Sequence, residues 1–297
     1  MNGILNVYKE KGYTSHDVVA KLRGILHQKK IGHTGTLDPD ATGVLPVCLG
    51  KATKVCDLLT EERKSYEAVL LLGRETDTQD ISGRILTESP VRVSEDEVRD
   101  CLAGFIGEGM QVPPMYSAIR INGRRLYELA RQGVEVERQA RPVHFYDITV
   151  LDMELPRVRF SVTCSRGTYI RTLCYDIGVK LGCGGCMESL VRTRVGIFSL
   201  EDSRTLDQIA ASVEENGVPD GLISLDHLFG DLAEVVLQPD GDKLAHNGNV
   251  FHVSYMKKQS RRDWRHLQDV RVYDSEGCFV GIYYYREGHF YLKKMFY

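Results

Sequence analysis

The chain has 297 residues, 42% of them hydrophobic, with a formal net charge of −3 and an isoelectric point near 6.3. That balance excludes a protein that coats nucleic acid indiscriminately, and no apolar run reaches the ~18–20 residues that a bilayer-spanning helix needs. Charged residues in the opening MNGILNVYKEKG come too early for a secretory signal, and eight scattered cysteines fit reduced thiols, so a cytoplasmic location is expected.

In chain order, residues 3–8 predict a short strand, and Ser15 an N-cap for a helix whose Val18, Val19, Leu22, Ile25 and Leu26 share one face. Residues 32–54, GHTGTLDPDATGVLPVCLGKATK, are broken by glycines at 32, 35, 43 and 50 and prolines at 39 and 46, which rules out a long helix or an uninterrupted strand. A strand near 65–72 precedes a turn segment, GRETDTQDISG, between Gly73 and Gly83. Ser94 and Glu97 form a capping box for a helix over 95–105. Strands are expected at 115–121, 141–151 and 157–164, and helices at 168–181 and 204–215. Within the first of these helices Tyr169, Ile170, Leu173 and Ile177 point inward, with Arg171 facing away from Ile170 and Leu173. After Leu225 the texture changes to short strands at 233–237, 270–273, 279–285 and 290–293.

Strands outnumber helices and do not alternate with them regularly. The expected fold class is therefore α+β, a mixed and largely antiparallel sheet flanked by helices, followed by a small β-rich unit. The division falls between residues 1–229 and 230–297. Arginines 120, 124, 125, 131, 138 and 141 cluster in one segment, and Lys257, Lys258, Arg261, Arg262 and Arg265 in another. With Tyr116, Tyr127 and Trp264 nearby, these runs predict a surface that tracks phosphates. Cys183 and Cys186 form a single C-x-x-C without a second pair, so no metal or redox site is assigned to them.

Asp38 sits on the glycine-flanked loop HTGTLDP, where Gly35 permits close backbone approach and Pro39 fixes the exit direction. A lone carboxylate held there suits a nucleophile or base that must meet a bulky substrate. The segment resembles the signature of the bacterial tRNA pseudouridine-55 synthase family. Three further segments match the same family in order: VYKEKGYTSHDVV (7–19), PPMYSAIRINGRRLYELARQG (113–133) and CSRGTYIRTL (164–173). The resemblance implies the pseudouridine synthase fold with a C-terminal PUA-like RNA-binding domain over 230–297. It also implies isomerisation of a T-arm uridine by glycosidic cleavage, base rotation and rejoining through carbon.

By that resemblance Asp38 is the catalytic residue, Tyr66 the active-site tyrosine that stacks on the flipped base, and Arg171 the catalytic arginine. A guanidinium beside a carboxylate is expected to lower the carboxylate pKa by about one to three units. His33 is expected to pack into the T loop, Leu190 to line the uracil pocket, and Lys64 and Arg131 to contact RNA. The residue types are compatible with attack by Asp38 on the sugar, attack on the base, or elimination. The isomerisation needs no redox step or group donor, so neither cofactor nor metal is expected. Glu10 departs from the proline common in the family after the lysine matching Lys9, which leaves that turn without a proline's restraint. The expected partner is tRNA alone, bound by a monomer without membrane or guide RNA. The rival readings are a guide-dependent relative and an RNA-folding chaperone that binds the tRNA elbow.

Overall fold

A computed structural model of the chain describes residues 1–121, 123–260 and 263–297. Arg261 and Arg262 of the expected basic cluster thus lie outside the described residues. Ten strands form one sheet, whose main path runs Leu222–Ile223, Gly3–Lys9, Thr42–Leu49, Gly185–Val195, Lys64–Leu72, Arg157–Cys164, Arg141–Glu154 and Gly107–Gln111. Neighbours along this path are antiparallel except at one seam, where Val191 and Arg192 run parallel to Thr42 and Gly43. The expected mixed, largely antiparallel sheet is the observed one.

Burial explains how the strand sequences read. Leu5, Val7, Leu45, Val47 and Leu49 pack under the helices Ser15–Ile25 and Leu206–Asn216, whereas Ile4, Val44 and Cys48 fill the opposite face. Both faces are dry there, so these strands carry continuous apolar runs. Lys64–Leu72 instead alternates, with Tyr66, Ala68, Leu70 and Leu72 inward. They join a third core beneath the helices Glu95–Ala103 and Ile170–Lys180. No helix among the described residues is long and apolar enough to cross a membrane.

Several boundaries differ from the sequence reading for local reasons. The first helix is capped by Thr14 through a capping box with Asp17, which releases Ser15 to accept a hydrogen bond from the Leu37 amide at 3.0 Å. The helix Ile170–Lys180 starts two residues late, because Tyr169 stays extended. Of the strand expected over 115–121 only Arg120–Ile121 forms, paired with Arg124–Arg125. Pro113 and Pro114 just upstream lack the amide donors a ladder requires. The turn segment after Gly73 contains a strand, Arg74–Thr76, paired with Ile85–Glu88.

The C-terminal strands Ala233–Val236, Asp269–Tyr273, Phe279–Arg286, His289–Met295 and Phe251–His252 form a second sheet with its own core. Trp264 packs into that core against Phe290 at 5.3 Å between ring centroids, rather than standing free for RNA. Ile282, Phe279 and Phe296 reach across to Phe198, Val195, Leu225 and Leu59 of the larger unit. Lys54 Nζ donates to the Met295 carbonyl at 3.1 Å, and Lys51 lies 5.0 Å from the Tyr297 ring centroid. Burying a large apolar side chain stabilises by about 1.5–3 kcal/mol. Deleting residues 230–297 is therefore expected to lower the melting temperature of the remainder by more than about 10 °C in calorimetry. An unchanged transition would mean the shared core contributes nothing.

Candidate active site

Asp38 lies on the loop between the strands Ile31–His33 and Thr42–Leu49. That loop is fixed at both ends. Thr34 N–H donates to the Pro46 carbonyl, Leu37 N–H to Ser15, and Gly12 N–H to the Pro39 carbonyl. Lys9, with no exposed surface, donates its ammonium to the carbonyls of Glu10, Pro39 and Ala41 at 3.1, 3.1 and 2.6 Å. A three-carbonyl anchor supplies the restraint that Glu10, lacking a proline ring, does not. Gly35, at φ +136°, has the backbone geometry that only glycine adopts without strain.

Arg171 projects from the first turn of the helix Ile170–Lys180 into the interior, and its side chain is 6% exposed. Its Nη1 stands 3.5 Å from Asp38 Oδ2 and 3.7 Å from Asp80 Oδ2, while Nη2 donates to the Tyr116 carbonyl at 2.6 Å. The helix start is itself clamped. The Gln111 side chain accepts from the Tyr169 amide at 2.8 Å and donates to the Tyr169 carbonyl at 3.0 Å. Asp80 is held by Thr78 and by the Ser82 amide, and its loop docks on the strand Gly185–Val195 through paired Ile81–Met187 and Met187–Gln79 backbone bonds.

Tyr66 lies on the inward face of Lys64–Leu72, in register with Arg192, and Leu190 sits two cross-strand pairs away opposite Ala68. Both side chains share the core that contains Leu37. His33 is half-buried and meets His16 edge-on at 5.4 Å. Burial and the His16 charge keep its imidazole below the usual range and so neutral near pH 7. Arg131 is exposed and lies 5.5 Å from the Tyr127 ring centroid, with Arg125 on the same tyrosine. Arg138 from the same cluster is paired with Glu135 instead. Lys64 departs from its expected contact with RNA. Its side chain is buried, and its ammonium donates to the carbonyls of Thr60 and Glu62 at 2.8 and 2.9 Å, closing the end of the helix Cys56–Glu61. Cys183 and Cys186 are both buried, and the Cys183 thiol turns to its neighbour's carbonyl at Gly184.

Residues 23–170 match the model of the TruB family pseudouridylate synthase N-terminal domain, and residues 171–237 that of the tRNA pseudouridylate synthase B C-terminal domain. A tRNA pseudouridine synthase B of Lachnoclostridium phytofermentans is 51% identical over 97% of this chain and 96% of its own length. One from Alkaliphilus oremlandii is 50% identical over 86% of this chain and 85% of its own. The chain belongs to the TruB family. It is thus a pseudouridine synthase, an isomerase. Solved structures agree in fold: a chain of an H/ACA RNP bound to a substrate RNA superposes with a TM-score of 0.71 at 26% identity, and one of a Cbf5-Nop10-Gar1 complex with 0.72 at 28%. Each alignment covers 99% of this chain and 85% of the other.

In this TruB-family site the sequence reading missed Asp80, Lys9 as the loop anchor, Gln111 and Arg192. Asp80 had a signal in the density of Thr, Asp, Ser and Gly over TDTQDISG, which marks a tight self-bonded loop. The others are single residues whose partners are distant in sequence.

The Asp38 environment also corrects the expected pKa. Burial pushes its carboxyl above the ordinary range; Arg171 opposes this and the Asp80 charge reinforces it, so the net direction is up. An ionised carboxylate is the stronger nucleophile, so a reaction that used Asp38 in that role would be lost as pH falls through this raised value. Burial brings the Lys9 ammonium down to about 8. Above that pH a neutral amine has two donors for three carbonyls, and the loop anchor weakens. Single-turnover rates followed from about pH 3 to 9 should therefore fall at both ends, with the acid limb above the ordinary carboxylate value of about 3.9. An acid limb at or below that ordinary value would contradict the raised Asp38 pKa.

Proposed function

We propose that this pseudouridine synthase isomerises uridine 55 in the T arm of tRNA, with Asp38 as the nucleophile and the target base flipped out of the RNA. The observation that carries the reading is a carboxylate on a doubly anchored loop, 3.5 Å from a buried guanidinium, beside a core that includes Tyr66 and Leu190. The reaction balances without a co-reactant. The bond from the ribose to N1 breaks, a bond to C5 forms, C5 loses its proton, and N1 gains one. What the protein must supply is a charged nucleophile, a cation that aims it, and a wall for the extruded base.

In this reading Tyr66 stacks on the uracil and Leu190 closes the pocket beside it. His33 packs against the RNA as a neutral ring, and Arg131 with Tyr127 offers a cation and an aromatic face to the phosphates and bases. The segment from 230 onward contributes RNA affinity and not chemistry. The chain acts as a monomer without guide RNA, in the cytoplasm, on tRNA. The names of its relatives at about half identity support tRNA over a ribonucleoprotein role, since the H/ACA chains are much less similar.

Transcripts labelled with tritium at uridine C5 test the target. Wild-type tRNA should release one equivalent, and a transcript carrying cytidine at position 55 should release none. Undiminished release from the second transcript would move the target elsewhere.

A further inference from the structure

Arg192 is the largest side chain with less than 2% exposure among the described residues, and it occupies the parallel seam of the sheet. It is in register with Tyr66 on one side and with Gly43 on the other. The strands approach so closely that a Cβ on Gly43 would fall 2.2 Å from the Arg192 carbonyl oxygen, at a φ of +104°. That approach lets Arg192 Nε donate to the Val44 carbonyl at 2.7 Å. Directly paired with Tyr66 on the neighbouring strand, the guanidinium is the charged neighbour of the Tyr66 hydroxyl, and the position of a Gly35 Cβ would lie 3.8 Å from Nη1. One side chain therefore meets the strand that leaves the Asp38 loop, the loop's own glycine, and the active-site tyrosine.

Stability does not explain it. Nη2 has no hydrogen-bond partner among the described residues, and a buried charge with an unspent donor is commonly no better than an apolar side chain of the same size. Arginine carries only donors and a positive charge, so the field of this cross-strand neighbour turns the Tyr66 oxygen toward the guanidinium and the hydroxyl proton away from it. Burial pushes the Tyr66 phenol up to about 12, which keeps that proton in place at neutral pH.

We infer that Arg192 is a positioning residue: it fixes the Tyr66 ring and turns the hydroxyl proton toward the flipped base, making Tyr66 a hydrogen-bond donor to the substrate. This rests on the reading of Tyr66 given above. Tyr66 touches the substrate; Arg192 acts through it.

A double-mutant cycle tests the inference. Arg192→Lys should lower kcat by about tenfold while leaving the Kd for tRNA within about twofold. In a Tyr66→Phe background the same substitution should cost less than about twofold, because there is no hydroxyl left to orient. Equal losses in both backgrounds would overturn the positioning role while leaving Tyr66 in place. If Tyr66→Phe alone leaves the rate unchanged, the hydroxyl-donor role and the positioning role of Arg192 both fall, while the stacking role of the ring, which phenylalanine retains, and uridine 55 as the target stand. Should Arg192→Lys not fold, the contact is read in the native protein by nitrogen-15 NMR of arginine side chains. One protected guanidinium should shift on Tyr66→Phe. No shift in any arginine signal would refute the contact.

Discussion

Asp38→Asn is expected to reduce pseudouridine formation to background, a loss of more than about 10⁴-fold, or about 5.5 kcal/mol at 1.36 kcal/mol per tenfold. The amide keeps the size of the carboxylate and the loop that carries it. Lys9, Ser15 and the Pro46 carbonyl hold that loop through its backbone, which the substitution does not touch. Arg171 keeps Asp80 and the Tyr116 carbonyl as partners, so the guanidinium is not stranded without a counter-charge. What disappears is the negative charge and the nucleophilicity that it confers. Affinity for tRNA should change little, since phosphate contacts and base extrusion remain. A filter-binding measurement beside a single-turnover assay separates the two effects. A chaperone acting by binding alone would tolerate this substitution in a tRNA-folding assay, whereas the modification assay would not.

Arg171→Lys should cost about 10²–10³-fold in kcat, the range seen when one preorganised stabilising donor is removed. The wild-type guanidinium spans Asp38, Asp80 and the Tyr116 carbonyl with one planar fork, at 3.5, 3.7 and 2.6 Å. A lysine ammonium is a point charge on a flexible stem and cannot hold that fork. The two carboxylates would then face each other with weaker compensation, and like charges raise a carboxylate pKa. The acid limb of the pH–rate profile should therefore move to higher pH than in the parent enzyme, on top of the loss at the plateau. A lower plateau with an unmoved acid limb would show that Arg171 aims substrate rather than Asp38.

The parts of this site that could be read in the sequence are those carried by local chemistry. Asp38 stands out through the family resemblance of residues 32–54, on a loop that Gly35 and Pro39 shape, and the capping box at Ser94–Glu97 forms as its spacing requires. The alternation over 64–72 gives the inward face of Tyr66 without reference to any partner. What could not be read depends on where the chain folds back. Lys9 looks like an ordinary strand-end lysine until the Asp38 loop arrives, 30 and 32 residues later, with two carbonyls for it. Lys64 looks like a surface cation two residues before Tyr66, but its own backbone neighbours at Thr60 and Glu62 capture it. The helix periodicity turns Arg171 away from Ile170 and Leu173, yet the 74–88 hairpin covers that side and makes it interior. The seam at Gly43 and Arg192 is a parallel contact between distant strands, which no local pattern encodes.

Incubating the purified protein with an unmodified tRNA transcript, without added RNA or cofactor, and mapping pseudouridine at single-nucleotide resolution tests the central claim most directly. Stoichiometric pseudouridine at position 55, and none with Asp38→Asn protein, is the predicted result. Product that requires a second RNA, forms at another position, or persists in the folded Asp38→Asn variant would contradict it.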